Sequence, residues 1–147
     1  MNKYVYPYRV SVVRERTNRY ERVESSLDIR EIARKLLEDA PTERFLMFVL
    51  NSKNRIMSFV EISVGSLNVS VVHPRDAFRA AVIQGANAVI FAHNHPSGDT
   101  TPSREDSDCT NRLVEAGNIL GIRVLDSIIV GDENFYSFAD AGHINPK

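Results

Sequence analysis

The sequence predicts an α/β (α+β) domain built on a mixed β-sheet flanked by helices on both faces. Three observations carry this expectation. Strand-like and helix-like segments alternate after an opening hairpin. Ala88 to Ala92 is an unbroken apolar run, the pattern of a central strand covered on both faces. A length of 147 residues, 43% hydrophobic and 25% charged, is that of one globular domain with its own core. Residues 1–147 are therefore read as a single domain, in which 1–26 form an N-terminal strand and a charged segment.

Each element has a local reason. Tyr8 to Val13 has strand composition, and a charged stretch follows it. Ser26 or Asp28 can cap a helix whose apolar stripe is Ile29, Ile32, Ala33, Leu36 and Leu37, and Ala40-Pro41 stops it. Arg44 to Leu50 and Arg55 to Val64 read as two strands joined through the polar loop 51–54, a hairpin. Val69 to Val72 reads as a further short strand. Pro74 suits the first position of a helix that ends before Gly85, with Phe78, Ala81 and Val82 inward. The buried strand over 87–92 comes next. Ser103 opens another helix, with an inner stripe of Cys109, Leu113, Ala116, Gly117 and Leu120 that ends at Gly121. Ile122 to Val130 is a buried strand, Gly131 to Asn134 a turn, and Phe135 to Phe138 an edge strand.

Composition excludes several classes of function. Lys and Arg number 18 against 19 Asp and Glu, a net charge of -1, which argues against a dedicated nucleic-acid binder. The first thirty residues alone are basic, with seven cations and four acids. Cys109 is the only cysteine, so no internal disulfide and no cysteine zinc cage can form, which fits a reducing compartment. Arg and Tyr stand where a signal peptide would place its apolar stretch, and no run approaches membrane-spanning length. A cytoplasmic protein without a membrane partner is expected.

The chemistry lies in residues 93–106. His93 and His95, two apart at a strand end, project from one side of the chain and can converge on one metal ion. Asp106, in the first turn of the next helix, can fold back against them. Two imidazoles and one carboxylate leave a fourth position open, the pattern of catalytic rather than structural zinc. The bland alternatives are a buried hydrogen-bonded histidine and an acid that merely caps a helix beside Ser103.

His93, His95, Ser103 and Asp106 have the spacing His-x-His, seven residues, Ser, two residues, Asp. This resembles the zinc signature of the JAMM (Jab1/MPN domain metalloenzyme) superfamily. The blocks 65–68, 72–75, 92–99, 115–117, 120–122, 124–126 and 135–138 resemble its RadC branch. The likeness runs from about Leu27 to Gly142. It implies a JAMM/MPN-like (cytidine-deaminase-like) architecture and one Zn2+ per chain on His93, His95 and Asp106. It also implies that Ser103 stabilises an oxyanion, besides its role as helix cap, and that an upstream glutamate serves as general base. Glu61 is the candidate base, because both faces of its strand are apolar and its carboxylate needs a partner. Asp126 is the competitor, with structural pairing as its other role. Two departures stand out: no helix-hairpin-helix region like that of longer RadC proteins is present, and Ser127 stands where many relatives have His.

The resemblance implies a zinc metallopeptidase or isopeptidase, a hydrolase of amide bonds acting on a peptide or protein substrate. The alternative is a DNA-repair-associated module that processes nucleic acid or serves interaction. A zinc deaminase is excluded, since that chemistry needs Cys-x-x-Cys. Minor positions are His73 at a helix entry, with lining of the cleft beside Arg75 as its alternative, Asn94 and Ser97 beside the substrate groove, His143 in the tail, and Cys109 in the core. The oligomeric state is not legible.

Overall fold

The computed structural model describes residues 22–64 and 72–145. Expected strands at Tyr8 to Val13 and Val69 to Val72 fall on or run into residues outside this set. The elements, in chain order, are α1 (Ser26–Leu37), β1 (Arg44–Leu50), β2 (Ile56–Val64), α2 (Pro74–Gln84), β3 (Ala88–Asn94), α3 (Arg104–Leu120), β4 (Arg123–Val130) and β5 (Phe135–Ser137). The sheet has the order β2-β1-β3-β4-β5. β3 and β4 are parallel and the other pairs antiparallel, so the sheet is mixed and β3 is its centre. Among the described residues, no helix is long and apolar enough to cross a membrane.

Alternation along the strands divides the core in two. Leu46, Phe48, Leu50, Ile90 and Ile128 face α1, which contributes Ile29, Ala33 and Leu37. Phe45, Met47, Val49, Phe91 and Ile129 face α2 and α3, which contribute Phe78, Cys109 and Leu113. All seven residues of β3 are buried, as its composition requires. The helix stops follow from glycine: Gly85 and Gly121 take left-handed φ of 67° and 72° as caps of α2 and α3. Gly117 permits close packing, because a Cβ there would lie 2.4 Å from the Ile122 carbonyl oxygen.

Four details differ from expectation. The cap of α1 is Ser25, with Asp28 accepting from the Ser25 and Glu24 amides, while Ser26 bonds Asp140. The helix also ends before Ala40-Pro41, because Glu38 leaves the helical region and Asp39 is left-handed. Val82 and Leu120, expected inside, are exposed, since Ala77 and Gly117 occupy the inward positions of their helices. β2 carries irregularities in its pairing with β1: Ser58 and Ile56 oppose consecutive residues, as do Ser63 and Glu61. Met57 and Ile62 are the extra residues, and side-chain alternation changes phase at each.

Candidate metal centre

β3 delivers His93 from its last turn of pleat, and the chain leaves the strand through Asn94 and His95. Arg104 to Leu120 then begins with Ser103 as N-cap. Ser103 Oγ accepts from the Asp106 amide at 3.0 Å, and Asp106 Oδ2 accepts from the Ser103 amide at 2.8 Å. This reciprocal pair fixes the Asp106 carboxylate at the mouth of the strand. Its Oδ1 lies 3.1 Å from His93 Nε2 and its Oδ2 lies 3.1 Å from His95 Nε2. The three side chains therefore converge.

A fourth group arrives from the residue just before β1. Phe45 of β1 is paired with His93 of β3, so Glu43, two residues earlier on the same face, projects beside the histidines. Its Oε1 is 3.9 Å from His93 Nε2. Ligand atoms of Glu43, His93, His95 and Asp106 all lie within 4.8 Å of one another. Asn94 brackets this glutamate: its Oδ1 accepts from the Arg44 amide at 2.7 Å and its Nδ2 donates to the Thr42 carbonyl at 3.1 Å.

The donor set suits a divalent metal such as zinc, which takes imidazole nitrogen and carboxylate oxygen. Two observations support the fit. Glu43 Oε1 is buried and meets no hydrogen-bond donor. His95 Nδ1 lies 2.7 Å from the Asp99 carbonyl, the outer contact that leaves Nε2 with its lone pair turned to the cluster. The electrostatics agree. Burial pushes the Glu43 carboxyl above its ordinary range, with the two histidines opposing the shift. Burial also works to raise Asp106, but the hydrogen bonds of both imidazoles outweigh it and hold this carboxylate well below its usual range. His95 is raised, chiefly through its bond to Asp106.

Comparison with known proteins places the chain. The sequence profile described as "RadC-like JAB domain" matches residues 23–143. The chain belongs to the RadC-like JAB-domain family. It is 57% identical over 106 residues to the "UPF0758 protein" of Syntrophotalea carbinolica, covering 72% of this chain and 47% of that protein. It is 59% identical over 104 residues to that of Geotalea uraniireducens, 71% of this chain and 46% of the relative. It is 52% identical over 122 residues to that of Trichlorobacter lovleyi, 83% and 53% respectively. The chain thus spans about half the length of these curated relatives.

Within this RadC-like JAB domain, His93, His95 and Asp106 stand together and Ser103 adjoins them through the capping pair. Glu61 does not join them, which corrects its assignment as the base. Its strand neighbour is Leu46, on the α1 face, whereas His93 lies on the α2 and α3 face. There Glu61 accepts from Arg44 at 2.6 and 3.1 Å, and that guanidinium lowers its pKa. Glu43, not Glu61, is the glutamate that stands beside the histidines. Glu43, Phe45 and Met47 share a face, but only the pairing of β1 with β3 brings that face to His93. Asp126 is elsewhere, accepting from Ser137 Oγ and from the amides of Ser127 and Ala139. Asn94 holds the backbone on either side of Glu43 and also lines, with His95, Pro96 and Val130, a cavity of about 250 Å³. Burial pushes the Cys109 thiol up to about 11, which suits a core residue.

Proposed function

We propose that this chain is a zinc-dependent amide hydrolase of the metallopeptidase or isopeptidase type, acting on a peptide or protein substrate. His93, His95 and Asp106 would hold one zinc ion per chain, and Glu43 would manage the proton. Bound there, zinc supplies a water of lowered pKa and a Lewis acid for a carbonyl oxygen. The observation that carries the reading is the convergence of two imidazoles and two carboxylates within 4.8 Å, one carboxylate oxygen having no donor.

The remaining chemistry belongs to the chain. Glu43, with its raised pKa, is suited to take the proton of the attacking water and return it to the departing amine. Ser103 is exposed and spends one lone pair on the Asp106 amide, which leaves its hydroxyl hydrogen for the developing oxyanion. Asp99 orients His95 through its carbonyl. The buried unpaired thiol agrees with a reducing, cytoplasmic setting.

The test compares Glu43→Gln, Glu61→Gln and His93→Ala in zinc-loaded protein, by elemental analysis and by cleavage of a mixed peptide library read by mass spectrometry. Glu43→Gln should keep zinc and lose about 10²-fold or more in turnover. Glu61→Gln should keep both, and His93→Ala should lose both. Zinc retention without any cleavage by the parent chain would instead favour the interaction module.

A further inference from the structure

We propose that Gly131, in the turn between β4 and β5, is a positioning residue of the metal centre, and that it acts through loop 95–100 on His95. The proposal rests on the reading of His95 as a zinc ligand. A Cβ placed on Gly131 would lie 2.4 Å from the Gly98 carbonyl oxygen and 2.7 Å from Thr100 Cγ2. The φ of Gly131 is outside the left-handed region, whereas Gly85, Gly98, Gly121 and Gly142 all lie within it. The turn itself therefore makes no demand for glycine at this position. The demand comes from the neighbouring loop, whose backbone passes where a side chain would stand.

The same loop makes the outer contact of His95. Its start is tied to the sheet, since the His95 amide donates to the Val130 carbonyl at 3.1 Å. The chain then turns, and the Gly98 amide donates to the His95 carbonyl at 2.9 Å. Asp99 follows, with its carbonyl 2.7 Å from His95 Nδ1. The Gly98 carbonyl that Gly131 admits is thus one peptide unit from the Asp99 carbonyl that holds the ring. An acceptor at Nδ1 leaves Nε2 free to ligate and sets the plane of the imidazole.

A methyl group added at position 131 displaces the loop rather than the turn, because the turn is anchored from three directions. The Gly131 amide donates to the Asn134 carbonyl at 2.9 Å, and Val130 pairs with Phe135. Arg30 of α1 donates to the Glu133 carbonyl at 3.0 Å, with its guanidinium 5.1 Å from the centre of the Phe135 ring. The loop, by contrast, exposes Pro96, Ser97 and Asp99 to water. Its displacement takes the Asp99 carbonyl away from Nδ1 and lets the imidazole turn. Loss of such an outer partner weakens metal binding by about 10- to 100-fold.

Competition of the full 147-residue chain with a chromogenic chelator for zinc tests this. Gly131→Ala should bind zinc about 10- to 100-fold more weakly than the parent, and the visible absorption of its cobalt-loaded form should change with the ligand geometry. Gly121→Ala is the control: its φ of 72° makes alanine costly, a Cβ there meets nothing within 4 Å, and it lies about 20 Å along α3 from Asp106. This control should lower the Tm of the metal-free chain yet keep the parent's zinc affinity and cobalt spectrum. Should circular dichroism show that Gly131→Ala does not fold, Gly98→Ala strains the same loop from within, through its φ of 84°, and should weaken zinc binding alike. If the parent binds zinc and the folded variant binds it as tightly, this proposal alone is overturned. The same follows if Gly121→Ala weakens zinc as much as Gly131→Ala does. A parent that binds no zinc overturns the reading of the metal centre as well.

Discussion

Replacing Asn94 by alanine should reveal how much the clamp on either side of Glu43 is worth. Asn94 is 6% exposed and makes two hydrogen bonds to backbone, at 2.7 Å to the Arg44 amide and 3.1 Å to the Thr42 carbonyl. A net hydrogen bond contributes about 0.5–1.5 kcal/mol, and an orphaned buried donor adds a penalty of about 1–3 kcal/mol. Thr42 is exposed, so its carbonyl can turn to water, whereas the Arg44 amide has only the side chain it loses. The sum is about 2–3 kcal/mol. For a chain of this length that corresponds to a fall in Tm of about 5–10 °C. Urea unfolding followed by far-ultraviolet circular dichroism would measure it, with an unchanged denaturant slope as the sign that only stability moved. Zinc content should be retained, because His93, His95 and Asp106 keep their side chains. A loss below about 0.5 kcal/mol, the size of an ordinary surface change, would refute the clamp.

Zinc should raise the Tm of the parent and leave H95A and D106A unmoved, as expected when a metal binds only the folded cluster; scanning calorimetry with and without zinc decides this. Glu61→Gln should destabilise by less than about 1 kcal/mol at neutral pH, since the Arg44 pair is partly exposed. Because Arg44 lowers the folded-state pKa of Glu61, that contribution is present above the unfolded glutamate pKa. It is lost as pH falls through the lowered folded value. Urea midpoints of the parent and E61Q should therefore converge in acid, and a difference that persists or grows there would contradict the pairing. Gly117→Ala should cost about 2–3 kcal/mol or more, because the added methyl meets a backbone carbonyl that cannot swing aside; thermal unfolding measures the loss.

The elements were legible wherever one local signal sufficed. Ser103 with Asp106, Pro74 with Gly85, and the apolar run of β3 each announce their structure within a turn or two. The same holds for the convergence of His93, His95 and Asp106. Glu43 was not legible, because its place depends on pairing β1 with β3, a contact that no local pattern carries. Glu61 misled for a related reason. Strict alternation was read across β2, but the extra residues Met57 and Ile62 reverse its phase, so Met57 sides with Val60 and Ile62 in the core beneath α2 and α3. Glu61 is left on the other face, where Arg44 meets it.

The two halves of the cluster also differ in how far apart their parts begin. His93 and Asp106 are 13 residues apart, and β3, the turn and the cap of α3 bring them together. Glu43 is about fifty residues from His93 and arrives only when β1 docks on β3. Closing the longer loop costs about 1 kcal/mol more in chain entropy than closing the shorter one. A nascent or partly folded chain can thus gather its two histidines and Asp106 before Glu43 is in place. Order of assembly then separates formation of the three-residue cluster from arrival of its fourth carboxylate.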